Sequence, residues 1–240
     1  APAKVTAKIE VNVKSPRITA FRLEQLNDQN LPMGGPGRSI QGTSALTEFK
    51  VKAWPVGKSK QAVQVKFKRA AASIESPEKP LPAMYYDKTD KKRLLGPAAF
   101  AIDGKEETAW GIDADPVRRN RPDQAVFVLE TPIANPEGTV LDIHLVQNHG
   151  GWNSDDNQNH NLGRFRLAVT SMPADEALAD LVPPDVRSVL EIPRELRSPA
   201  QSAAVFSAWR QQSGLCAELT KKIDELCRQY PEPVSQLVLQ

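Results

Sequence analysis

Several stretches of the chain alternate apolar and polar residues with a period of two, the mark of a strand with one buried face. Lys4–Lys14 sets Val5, Ala7, Ile9, Val11 and Val13 against Lys4, Lys8, Glu10 and Lys14. Thr47–Ala53 puts Phe49, Val51 and Ala53 on one side and Glu48, Lys50 and Lys52 on the other, and Ala62–Arg69 does the same with Val63, Val65 and Phe67 against Gln64, Lys66 and Lys68. These two stretches are predicted to be antiparallel neighbours with a basic solvent face. That face suits either an anionic polymer such as a sulfated glycan or a lysine-guarded edge that discourages pairing with other chains. Thr139–Gln147 and Leu162–Thr170 alternate in the same way, and Ile18–Leu26 forms a further strand. Ala125–Leu129 is an unbroken apolar run, as expected of a strand buried on both faces.

Between these runs lie breakers. Pro16 ends the first strand, and Asn27–Thr43, with Pro32, Gly34, Gly35, Pro36, Gly37 and Gly42, is a loop. That loop either approaches a ligand or an ion closely or caps the end of the fold. Ala70–Pro97 is irregular, with room for one short strand. The prediction is a mainly β protein, a two-layer antiparallel β-sandwich of the jelly-roll type over residues 1–172. Phe49, Val51, Val65, Phe67, Trp110, Phe127, Ile143, Phe165 and Leu167 are its expected core.

The pattern then changes. Residues 173–198 form a proline-rich linker with one short helix near Pro184. Ser198-Pro199-Ala200-Gln201 carries a cap, a proline suited to the first helical position and a capping-box glutamine. From there Val205, Trp209, Gln212, Cys216, Leu219, Ile223, Leu226 and Tyr230 recur at spacings of four and three. This predicts one long amphipathic helix over 199–231, stopped by Pro231, with a seam that needs a partner. The partner is the sandwich, another helix, or a second copy of the chain. Val234–Gln240 is apolar and starts like a strand; the family resemblance described below implies that residues 232–240 begin a following domain.

Composition narrows the function. The chain has 240 residues, 40% hydrophobic and 25% charged, with a net charge of +2, which gives no basic signature for nucleic acid. No apolar run is long enough to span a membrane as a helix. Cys216 and Cys227 would lie about 16 Å apart along an intact helix, too far for a disulfide. There is no C-x-x-C-H, so no haem is attached here. The nucleophile-elbow, zinc-protease, P-loop and dinucleotide signatures are all absent, and no enzyme activity is predicted.

Two stretches carry candidate chemistry. Asp103-Gly104, followed by Thr108 and Trp110, predicts a tight turn closed by the Thr hydroxyl, with the Trp ring planted beneath it. Gln147–Leu162, QNHGGWNSDDNQNHNL, is rich in amides, acids and histidines around one Trp. Planar amides and carboxylates match the paired donors and acceptors of vicinal sugar hydroxyls, and an aromatic plane stacks on a sugar ring. Asn148, His149, Trp152, Asn153, Asp155, Asn157 and His160 are therefore the candidate ligand-binding set. The same loop is open to two other readings. In one, its amides bond their own backbone and Trp152 packs on the sandwich. In the other, His149, Asp155, Asp156 and His160 hold a metal, although their spacing fits no standard motif.

The pattern A-x-D-G-x-x-x-T-x-W resembles that of discoidin-like, galactose-binding-like β-sandwiches. A wider set follows in order: Ile18–Glu24, Gly34–Arg38, Leu46–Phe49, Leu162–Thr170 and Ile192–Ser198. Together these resemble the region between the two large conserved domains of planctomycete cytochrome-c-type proteins. The resemblance implies a carbohydrate-binding-like module inside a larger exported protein, periplasmic or at the cell surface, with polysaccharide and the flanking domains as partners. It also implies a structural Ca²⁺ at the Asp103 turn, held by Asp103 and Thr108. Lys105 stands where an acid is common in such modules, and Glu106 is the available substitute. The alternative function is a spacer that positions the flanking domains and binds no soluble ligand.

Overall fold

The structure, a computed structural model, describes residues 2–86, 91–113, 119–151, 158–179, 182 and 184–231. Its strands are β1 (Val5–Val13), β2 (Arg17–Leu26), β3 (Ala45–Leu46), β4 (Glu48–Pro55), β5 (Val63–Gln64), β6 (Phe67–Ala72), β7 (Lys79–Pro80), β8 (Leu94–Gly96), β9 (Thr108–Gly111), β10 (Asp123–Ala134), β11 (Thr139–Gln147) and β12 (Arg164–Thr170). Among the described residues three α-helices follow, α1 (Pro184–Leu190), α2 (Pro199–Gln212) and α3 (Ala217–Gln229). Two four-stranded antiparallel sheets face each other, ordered β1-β11-β4-β5 and β12-β2-β10-β6. A small third sheet, β3-β9-β8-β7, contains one parallel pair, β8 with β9. The mainly β sandwich with a helical C-terminal part is thus the observed architecture.

The alternating residues meet between the sheets. Phe49, Val51, Leu141, Ile143 and Leu145 come from the first, and Ile18, Phe21, Leu23, Phe127 and Leu129 from the second. Phe49 stacks on Phe127 at 4.4 Å between ring centres, and Phe21 and Trp110 pack edge-on around them. Burying such side chains is worth about 1.5–3 kcal/mol each. The expected core residues all belong to this cluster or pack against it, Phe67, Phe165 and Leu167 being half-buried at its edge. β10 is buried on both faces because a strap covers the outside of its sheet. Ala177 and Ala179 lie on Ala20, Val126 and Val128, and the Arg69 guanidinium donates to the carbonyls of Ala174 and Ala177. The first part of the proline-rich linker therefore packs as part of the sandwich.

Two expectations are corrected. Ala62–Arg69 is not one strand beside β4. β5 pairs with β4 for two residues only, and β6 then joins β10 in the other sheet. The crossing is at Val65–Lys66: the Val65 N–H donates to Val51 O in the first sheet, and Lys66 O accepts from the Glu130 N–H in the second. Lys66 and Lys68 therefore do not share a face with Lys50 and Lys52, and Val63 is exposed. The single helix over 199–231 is two. The Ser198 capping box forms as predicted, but Ser213 is extended at φ −83°, ψ 120°, and a 3-10 turn from Gly214 precedes α3. A Ser-Gly pair costs helix propensity at this point, and the break turns the chain so that Arg210 donates to Thr220 Oγ1 at 3.0 Å. α1 packs on α2 and α2 on α3. Trp209, Leu219, Leu226 and Tyr230 of the seam stay exposed, and both cysteines are free.

Candidate functional site

The amide-rich loop leaves the sandwich at the end of β11 and returns before β12. Its two ends are fixed inside the protein. β11 points Leu141, Ile143, Leu145 and Gln147 inward, and His149 continues that parity into the interior at 1% exposure. Its Nδ1 lies 2.9 Å from Thr47 Oγ1 and its Nε2 3.3 Å from Glu107 O. Thr47 Oγ1 also accepts from the Asn148 N–H at 2.9 Å. Its hydroxyl proton is therefore left for Nδ1, and the carbonyl of Glu107 takes the Nε2–H, so the ring is neutral. Burial pushes its pKa down to about 4, with the charges of Arg93 and Lys4 acting the same way.

His160 closes the other end. It is 2% exposed, stacks flat on Tyr85 at 4.2 Å, and its Nε2 lies 3.2 Å from Thr43 Oγ1. Burial drives its pKa down to about 3. Between these anchors the Gly151 N–H donates to Gln158 O at 2.9 Å, and the Arg93 guanidinium donates to Asn148 O at 2.9 Å. The neck is tight: a Cβ on Gly151 would meet the Gln158 side chain at 2.4 Å.

Of the candidate ligand-binding residues, then, His149 and His160 are buried anchors with protein partners. Asn148 is half-buried beside them. Trp152, Asn153, Asp155 and Asn157, together with Asp156 of the metal reading, lie outside the described residues. The parity of Gln147 and His149 with the inward face of β11 was the signal that the histidine is interior.

The Asp103 turn forms as its sequence predicts. Gly104 takes φ +77°, and the Asp103 carboxylate accepts from the Lys105 N–H at 2.9 Å and from the Thr108 hydroxyl at 2.8–3.0 Å. Trp110 is fully buried below it. Glu106 stands in solvent, 4.0 Å from Lys91 Nζ. The acid that faces the turn is Glu48, expected on the solvent side of β4 and found 6% exposed. Burial pushes its carboxyl up from 4.5 to about 7, Lys50 opposes this, the charge of Asp103 adds to it, and the Gly104 N–H opposes it. Its Oε1 is buried with no hydrogen-bond partner. An orphaned acidic oxygen facing a turn that carries a second carboxylate and a hydroxyl offers the hard-oxygen chemistry that Ca²⁺ takes. Among the described residues no cluster of three or more His, Cys, Asp or Glu forms a metal cage, so further donors to an ion here would have to come from backbone oxygens and water.

A third polar element closes the same end of the fold. Asp113, 7% exposed, accepts bidentately from Arg119 at 2.9 and 3.0 Å and from Lys79 Nζ at 2.8 Å. Burial pushes its pKa up, but the two cations outweigh that and hold it below the usual range. Its role is to pin β7 and the segment after β9.

Comparison of the chain with protein-family models, with curated proteins and with solved structures finds no match.

Proposed function

We propose that this chain is a non-catalytic carbohydrate-binding module, a region of a larger exported protein of the planctomycete cytochrome-c type, in the periplasm or at the cell surface. The observation that carries the reading is the neck of the amide-rich loop. Two buried histidines, Arg93 and the Gly151–Gln158 hydrogen bond hold both ends of a hexapeptide whose sequence, WNSDDN, supplies one aromatic plane, amides and carboxylates. Holding the ends of a binding loop lowers the ordering cost of ligand capture. A structural Ca²⁺ at the Asp103 turn belongs to the same proposal, supported by the unpaired oxygen of Glu48. Asp103, Thr108 and Glu48 would hold it, with Glu48 deprotonated as it binds.

The exposed apolar residues of α2 and α3 favour a second reading, in which the helices dock on a flanking domain or on a second copy and the sandwich is a spacer. A glycan array, with an affinity gel of immobilised polysaccharides, separates the two. The carbohydrate reading expects retention on at least one glycan. A folded sample that is retained by none supports the spacer.

A further inference from the structure

At the opposite end of the sandwich the two sheets part. β4 runs from Glu48, beside the amide-rich loop, to Pro55, about 23 Å away at the rise of an extended strand. There β10 slips register against both neighbours, between Val128 and Ile133 against β2 and between Val128 and Leu129 against β6. The Val65–Lys66 crossing peptide joins the sheets at the same level. The result is a cleft of about 410 Å³, within the range of roughly 300–1,000 Å³ usual for small-ligand sites.

Its chemistry is mixed in a particular way. Val65 and Ile133 supply apolar surface, and the half-buried Trp54, next to Ala53 on β4, borders it. Gln61, Gln64 and Lys66 line it from one stretch and Glu130 from another. Gln64 Nε2 is held by Val51 O at 3.0 Å, which orients the amide and leaves its oxygen as an acceptor. The side chains of Gln61, Lys66 and Glu130 have no protein partner among the described residues. A cation, an anion and two amides around an apolar floor offer donors and acceptors together, which is what a hydroxyl needs, since it gives and takes at once.

We propose that this cleft is a saccharide-binding site, separate from the amide-rich loop. The class of ligand rests on the carbohydrate reading; the location does not. The neutral, polyhydroxylated ring of a hexose or pentose matches the unpaired donors and acceptors, and its apolar face matches Trp54 and the Val65–Ile133 surface.

The test is a titration of isotope-labelled protein with cellohexaose, xylohexaose and chitohexaose, followed by NMR. At least one sugar is expected to shift the Trp54 indole N–H and the Gln61 and Gln64 side-chain amides. The double variant Lys66→Ala/Glu130→Ala, in which both altered side chains are exposed, is expected to keep the melting temperature and weaken that binding tenfold or more. Shifts confined to residues 148–161, or an affinity unchanged in the double variant, overturn the cleft while leaving the loop as a sugar site. Shifts confined to the cleft support it and overturn the loop. If none of the three sugars shifts any resonance, the cleft fails as a saccharide site, and the glycan array then decides the wider reading.

Discussion

Replacing Glu48 by Gln should change how stability depends on pH. The carboxyl is charged in the unfolded chain above about 4.5, but in the folded protein it holds its proton up to about 7. Between those values the folded state binds more protons than the unfolded one, so Glu48 removes stability as pH rises. Each pKa unit of difference is worth about 1.36 kcal/mol. The full gap comes to about 3 kcal/mol, and allowing half for solvent screening leaves about 1.5 kcal/mol. The wild-type curve does not isolate this. Burial likewise pushes Asp123 up to about 7, while His149 and His160, held neutral, make stability fall as pH drops below about 6.5. The difference between wild type and Glu48→Gln cancels these common contributions. Urea unfolding in chelator at pH 5 and pH 8 should show the variant losing about 1.5 kcal/mol less than wild type on going to the higher pH. Parallel pH dependences in the two proteins would refute a buried, proton-holding Glu48.

The calcium proposal extends this logic. An ion that binds only the folded protein raises its melting temperature, and the rise should be larger at pH 8 than at pH 5, because Glu48 must lose its proton. Asp103→Ala should abolish the rise in a calorimetric scan, and a shift that survives the substitution removes the ion from this turn. His160→Phe should keep the stack on Tyr85 and remove both ring nitrogens, Nδ1, which is buried without a partner, and Nε2, which faces Thr43 Oγ1 at 3.2 Å. Its stability at pH 7 should stay within about 1 kcal/mol of wild type, and its loss of stability between pH 6.5 and pH 3 should be shallower in acid unfolding followed by circular dichroism.

The strands were legible because a face buried against a second sheet imposes a period of two, as in Phe49, Val51 and Ala53 or Leu141, Ile143 and Leu145. Alternation does not say which sheet a residue joins. Val63, Val65 and Phe67 keep one parity while the backbone passes from β4's side to β10's, so a local pattern concealed a crossing. Glu48 was misplaced for a related reason: parity put it outside, but the Asp103 turn covers that end of β4. The Asp103–Thr108 hydrogen bonds and the buried Trp110 followed from short-range chemistry, which sequence records well. His149 and His160 looked like ligand groups because their neighbours are polar. Their burial depends on Thr47, Thr43 and Tyr85, each distant in the chain. In the helical part the four-and-three spacing masked Ser213-Gly214, where local propensity ended α2.

Trp152 carries the central claim. In the loop reading it is the stacking platform, and loss of such an anchor costs about 2 kcal/mol or more, roughly thirtyfold in affinity at about 1.4 kcal/mol per factor of ten. The measurement is the affinity of Trp152→Ala for the glycan that retains the wild-type protein, taken with its melting curve. The account predicts binding weakened about thirtyfold and a melting temperature that hardly moves. Undiminished binding with about 3 kcal/mol of stability lost, the signature of a ring packed on the sandwich, would contradict it.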